Sequence, residues 1–305
     1  MSSRKPARPW WMLIVLVALW LPSGLALAQS PVPGPAVLWL FRTPGQAPSG
    51  RFHLVHNRTH FTPGAATPFH HHPGQVVVTV LEGENTFTLS GVERVYRAGE
   101  SFVEQPHEVN QARNAGTVPM TVMATYLLPW DAPLSHPAAG DTTPPPRPTV
   151  SYQYKTDVAP MTGPFEVVQQ GLEFAPGAAT PWHTHPGLVM VTVVAGELTF
   201  NINGADTVYR EGESFVEPPG ELAQARNASG ATTRVMATYL LPTGAPLSQP
   251  QAAPGAVLQP SAPMPAALPN TGETQGVAVS PALIALIGVG LLLGGAWLRR
   301  RLTQR

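Results

Sequence analysis

Pro63-Gly-Ala-Ala-Thr-Pro-Phe-His70-His-His72-Pro-Gly74 is followed later in the chain by Pro176-Gly-Ala-Ala-Thr-Pro-Trp-His183-Thr-His185-Pro-Gly187. Around these two stretches, residues 35–134 recur at residues 148–247 without a gap. Gly83 falls on Gly196, Gly99 on Gly212, Asn114 on Asn227 and Tyr126 on Tyr239. About half of the paired positions are identical, over a period far longer than the ~20–50 residues of a solenoid repeat. The chain therefore contains a duplicated domain, each copy long enough to bury its own core.

Within each copy the pattern is β. Val76-Val-Val-Thr-Val-Leu81 and Val189-Met-Val-Thr-Val-Val194 are short β-branched runs that lead to a glycine. Ser90-Gly91 and Asn203-Gly204 mark tight hairpins, and Gly99 and Gly212 mark the next turn. Ser101–Glu104, Val109–Asn114 and Met120–Leu128 continue a series of evenly spaced short strands. No useful helical periodicity appears between Gln29 and Ala267. This pattern predicts an all-β chain of closed sandwiches or barrels.

Two histidines at i and i+2 on a strand share one face, so His70 with His72, and His183 with His185, converge on one cavity if that face is interior. Paired imidazoles suit Zn, Mn, Fe, Ni or Cu. With a Pro-Gly before them and an apolar strand after, these pairs resemble the cupin superfamily. The resemblance covers both copies and implies a bicupin: two tandem cupin barrels of the double-stranded β-helix, or jelly-roll, type. Gly64, His70, His72 and Gly83 match the first family motif, as do Gly177, His183, His185 and Gly196. The glutamate that the motif implies falls on Val76 and Val189, and the second-motif histidine falls on Asn110 and Ala223.

Each barrel is thus left with two of the four implied ligands. In barrel one, His70 and His72 have Gln75, His107 and Asn110 as candidate supporting ligands for a divalent transition metal. In barrel two only His183 and His185 remain, beside the apolar Leu188 and Ala223, so metal is expected chiefly in barrel one. Glu104 and Glu217, at strand ends, either line the cavity mouth as a base or ligand or, the commoner case for such carboxylates, are simply exposed. His53, His56 and His60 mix both faces of a strand, so at least one is expected to be solvated.

The ends of the chain carry targeting signals. Residues 1–28 combine Arg4, Lys5 and Arg8 with an apolar run and Ala26-Leu-Ala28, as a secretory signal does. Val277–Leu298 is long enough to span a bilayer, and Arg299–Arg301 after it place residues 29–276 outside. Leu268-Pro-Asn-Thr271-Gly272 before that span resembles the sortase sorting signal, Leu-Pro-x-Thr-Gly, of bacterial surface proteins. The resemblance implies sortase as a partner, cleavage between Thr271 and Gly272, and attachment to the envelope. The expected organisation is signal 1–28, barrel one 29–136, proline-rich linker 137–148 and barrel two 149–247. A Pro/Ala-rich spacer 248–267, sorting region 268–276, transmembrane segment 277–298 and basic tail 299–305 follow.

Basic and acidic residues balance at 18 each, which gives no electrostatic basis for a nucleic-acid partner. Cysteine is absent, which excludes thiolate ligands and disulfides. Three functions fit: a surface-displayed binder of a small polar ligand, a dioxygenase-like or isomerase-like metalloenzyme, and a structural module. Fold alone does not choose among them.

Overall fold

The computed structural model describes residues 32–255. The secretory segment, the sorting motif with Thr271 and Gly272, the apolar span and the basic tail lie outside the described residues. Among the described residues every regular element is a β-strand.

The first copy supplies β1 (Ala36–Pro44), β2 (Phe52–Phe61), β3 (His70–His71), β4 (Val76–Glu82) and β5 (Glu84–Leu89). It continues with β6 (Val92–Arg97), β7 (Ser101–Glu104), β8 (Asn110–Arg113), β9 (Met120–Pro129) and β10 (His136–Pro137). The second copy repeats the series as β11 (Thr149–Val158), β12 (Phe165–Phe174), β13 (His183–Thr184), β14 (Leu188–Ala195) and β15 (Glu197–Ile202). It ends with β16 (Ala205–Arg210), β17 (Ser214–Glu217), β18 (Ala223–Arg226), β19 (Thr233–Pro242) and β20 (Gln249–Pro250).

These strands form four five-stranded sheets, two per barrel. Barrel one joins β11-β2-β9-β4-β7 to β10-β3-β8-β5-β6; barrel two joins β1-β12-β19-β14-β17 to β16-β15-β18-β13-β20. The first strand of each copy therefore completes the other copy's barrel. β1 pairs antiparallel with β12, and β11 with β2.

This exchange brings the two large sheets face to face and explains why β4 reads as an unbroken apolar run. Val76, Val78 and Val80 point into the core of barrel one, while Val77 points into a third core between the barrels. That third core is self-complementary: Phe52, Leu54, Val77 and Leu127 meet their own counterparts Phe165, Val167, Met190 and Leu240. Burial of each such side chain stabilises the fold by about 1.5–3 kcal/mol, and neither barrel alone covers this face.

A buried polar chain crosses the same interface. Ser214 Oγ lies 2.8 Å from Thr192 Oγ1, which is 2.7 Å from His56 Nδ1; His56 Nε2 is 2.8 Å from Thr238 Oγ1. Thr238 meets Thr125 at 3.4 Å, and Gln169 Nε2 donates to Thr125 at 2.8 Å. Thr79 donates to Gln169 Oε1 at 2.5 Å and contacts Ser101 at 2.8 Å. The chain begins and ends on counterpart serines, with His56 of one copy answering Gln169 of the other.

This packing limits the solvation expected among the β2 histidines to His60. His53 and His56 are buried and His60 is half-buried, because β2 is covered on both faces. His53 Nδ1 lies 2.9 Å from Asp157 of the exchanged strand β11. The proline-rich linker is likewise tied down: Asp141 Oδ1 accepts from the Phe69 amide at 3.1 Å, and the Ala66 amide donates to the Pro146 carbonyl at 3.1 Å.

Candidate metal centres

The first histidine of each His-x-His pair sits on the two-residue strand β3 or β13, and the second follows it directly. Each is followed by Pro-Gly, where the chain passes against the last long strand. A Cβ at Gly74 would lie 1.8 Å from the Leu127 carbonyl oxygen, and one at Gly187 would lie 2.0 Å from that of Leu240. Only glycine permits this approach, and it sets where the histidines enter the barrel.

In barrel one His70 Nδ1 lies 2.7 Å from the Pro68 carbonyl and His72 Nδ1 lies 2.7 Å from the Leu134 carbonyl. A carbonyl accepts only, so both Nδ1 atoms carry hydrogen and both Nε2 atoms turn to the cavity. The rings stand edge to face with centroids 4.7 Å apart. Barrel two repeats this with His183 on Pro181 at 2.7 Å and His185 on Leu247 at 2.6 Å.

Glu104 and Glu217 complete each site. They are only 4% and 6% exposed, which corrects the expectation that these strand-end carboxylates face solvent. The physical reason is register. β7 pairs antiparallel with β4 so that Glu104 stands directly opposite Val76, and β17 places Glu217 opposite Val189. Cross-strand partners share a face, so the carboxylate missing from Val76 and Val189 arrives from the neighbouring strand. The signal was present in the alternation of Ser-Phe-Val-Glu: the glutamate shares its face with the buried Phe102 or Phe215.

His70, His72 and Glu104, and likewise His183, His185 and Glu217, each bring one ligand atom within 4.8 Å of the others. Barrel two thus holds the same triad as barrel one, although its sequence suggests only two donors. Asn110 joins the first site through Glu104: its Nδ2 donates to Glu104 Oε2 at 3.3 Å, while its buried Oδ1 has no partner. Ala223 takes that place in barrel two, opposite His183. Gln75 does not join. It faces the other side of β4, accepting from the Gln46 amide at 2.9 Å and donating to the Pro44 carbonyl at 3.0 Å. His107 also stays outside, exposed on the β7–β8 turn.

The donor set fits a divalent transition ion. Glu217 Oε2 lies 3.2 Å from His185 Nε2 and 3.9 Å from His183 Nε2, yet it is buried without a well-aligned hydrogen bond. In barrel one Glu104 Oε2 is 2.7 Å from His72 Nε2, within hydrogen-bond reach when that nitrogen carries a proton. Burial pushes the His72 imidazole down, but the Glu104 hydrogen bond and charge more than offset it, so its pKa is raised from 6.5. His185 shows the same balance against Glu217. His70 and His183 are instead lowered, chiefly by burial.

Below its raised pKa each of His72 and His185 carries a second proton that an ion must displace. Metal affinity should therefore fall as pH drops, with the decline already under way above pH 6.5, because that proton is held more tightly than on a free imidazole. Titration of Mn²⁺ into the protein across pH 6–8 checks this, and a pH-independent affinity would exclude displacement of that proton.

Tyr126 and Tyr239 pack edge-on against His72 and His185, with ring centroids 5.3 and 5.5 Å away. Burial raises both phenols, so they stay protonated donors. They differ in partner: Tyr239 donates to Gln170 Oε1 at 2.8 Å, while the counterpart Asn57 turns to Gln153 at 3.2 Å.

The family comparison agrees with this architecture. Residues 57–126 and 172–239 each match the family model described as a cupin domain, and two tandem matches support a bicupin. No curated protein matches the chain. Similar solved structures include AerE from Microcystis aeruginosa, at 17% identity over 68% of this chain and 98% of that one, with a TM-score of 0.45. Vicilin from Corylus avellana aligns at 11% identity over 68% and 86%, with a TM-score of 0.49. Oxalate decarboxylase from Bacillus subtilis aligns at 11% over 71% and 81%, with a TM-score of 0.45.

Proposed function

We propose that the protein is an envelope-anchored, outward-facing bicupin that holds a divalent transition metal in each barrel. A small polar ligand binds at the coordination positions that the protein leaves open. The observation that carries this reading is the paired triad, His70/His72/Glu104 and His183/His185/Glu217, with the donor atoms of each within 4.8 Å of one another. Three protein ligands with an open position is the arrangement of sites that engage a substrate or ligand. The signal-like residues 1–28, the sorting motif at Thr271-Gly272 and the basic tail support display outside the cell, with sortase and the envelope as partners.

When bound, the ion supplies Lewis acidity to an oxygen-donor ligand. The chain's own groups do the rest. The carbonyls of Pro68, Leu134, Pro181 and Leu247 fix the imidazoles, and Asn110 orients Glu104. The apolar barrel walls limit water, and the phenols of Tyr126 and Tyr239 line the histidines.

A second reading, an oxygen-dependent enzyme, is favoured by one observation: two histidines and one carboxylate are the donor set of non-haem iron oxygenases. Oxygen uptake by the anaerobically Fe²⁺-loaded protein on addition of candidate substrates separates it from simple binding.

Elemental analysis of the Mn²⁺-loaded full chain tests the main reading. It should give two ions, with one lost in His70→Ala/His72→Ala and the other in His183→Ala/His185→Ala. Absence of metal under every loading condition would remove both readings and leave a structural module.

A further inference from the structure

The first copy has eight of the chain's ten histidines, and the inner site uses only two of them. Three of the others gather on the outer side of β3. His71 alternates with His70 and His72 and so points away from the cavity. It pairs in register with His136 of β10, their rings stacked with centroids 5.3 Å apart. His107, on the turn between β7 and β8, stands 5.9 Å from His71.

We propose that His71, His107 and His136 form a second, outward-facing metal site, selective for divalent ions that favour imidazole, such as Ni²⁺, Cu²⁺ or Zn²⁺. Two imidazoles bound to one tetrahedral ion at about 2.0–2.1 Å have ring centres about 5 Å apart, close to the spacing seen. His107 and His136 are exposed, so their side chains can turn to bring the three ring nitrogens together. His71 is half-buried, with its Nδ1 enclosed and without a hydrogen-bond partner. It is the fixed member of the three.

The backbone supports the arrangement. The His107 amide donates to the His72 carbonyl at 2.8 Å, which holds the turn against β3. The position has a φ of 65°, where its counterpart Gly220 has 78°. A left-handed residue other than glycine is uncommon there. In barrel two the three positions are Thr184, Gly220 and Gln249, so the second copy keeps the backbone without the imidazoles. All three ligands are set by nitrogen alone, unlike the inner triad, which includes a carboxylate. The outer site should therefore favour later transition metals than the inner one.

The second copy also supplies the variants. In the full chain, His71→Thr/His107→Gly/His136→Gln should lose one equivalent of Ni²⁺ in equilibrium dialysis and its retention on nickel-charged resin. Conversely, Thr184→His/Gly220→His/Gln249→His should gain one equivalent. The difference of one equivalent is read between wild type and variant, so it stands whether or not the inner triads hold metal. Mn²⁺ bound at the inner sites should stay unchanged in both variants, and unchanged circular dichroism shows that folding is intact. Equal Ni²⁺ stoichiometry and equal resin retention in wild type and the first variant would overturn the proposal.

Discussion

Glu104→Ala should strip barrel one of its metal, and Val76→Glu added to it should restore binding. The two positions face each other across β4 and β7, and both side chains point into the barrel core. A carboxylate supplied from either strand therefore reaches the same two imidazoles. Loss of the carboxylate should weaken metal by more than the ~10–100-fold that follows removal of an outer-shell partner, because it removes a direct ligand. The same exchange, Glu217→Ala with Val189→Glu, should act on barrel two. A Mn²⁺ titration of each single and double variant reads the effect. If the double variant binds no better than Glu104→Ala, the carboxylate position is not interchangeable across the strand pair, and register alone does not account for the site. Glu104→Ala carries a second signature: without the carboxylate beside it, the His72 pKa should fall below 6.5, since burial is then the larger influence left. Proton resonances of the imidazole followed against pH report that shift without any metal.

The same register explains which parts of the site could be read from residues alone. The histidine pairs were legible because their ligands lie at i and i+2 in one strand, a relation that sequence spacing contains. For Glu104 alternation gave only the inward face; its place in the site depends on how β7 aligns with β4, a contact between separate strands. The strand series from Val76 to Leu128 was similarly legible from alternation and glycine turns. The exchange of β1 and β11 was not: each strand's partner lies in the other copy, and two related copies offer equivalent pairing surfaces. Gln75 shows the reverse error. It is polar, one residue from the expected ligand and close in sequence, but a shift of one residue on a strand moves the side chain to the opposite face. It therefore fixes the Pro44–Gln46 segment instead of an ion.

His56→Gln should leave the protein folded and make it markedly less acid-sensitive, whereas His56→Ala should cost about 2–4 kcal/mol, the range for emptying a buried site and orphaning its polar partners. His56 is fully buried between the barrels, bonded through both ring nitrogens to Thr192 and Thr238 of the other copy. Burial pushes its pKa from 6.5 down to about 3. Between those values the unfolded chain binds a proton that the folded chain excludes. Stability therefore rises with pH in this window and is lost as pH falls, by about 1.4 kcal/mol per unit. Carboxylates and the inner-site histidines also titrate, but they do so alike in wild type and variant, so the difference between the two isolates His56. Glutamine is the natural replacement because Gln169, the counterpart, already bridges Thr79 and Thr125 in the mirrored half of the network. Unfolding free energies from urea titration at pH 7 should nearly coincide for wild type and His56→Gln, then separate by about 2 kcal/mol near pH 5. Parallel curves down to pH 5 would mean that His56 takes up its proton without disturbing the interface. That outcome would be incompatible with the burial that keeps the imidazole neutral between its two threonine hydroxyls, where a charged ring would lose its hydration.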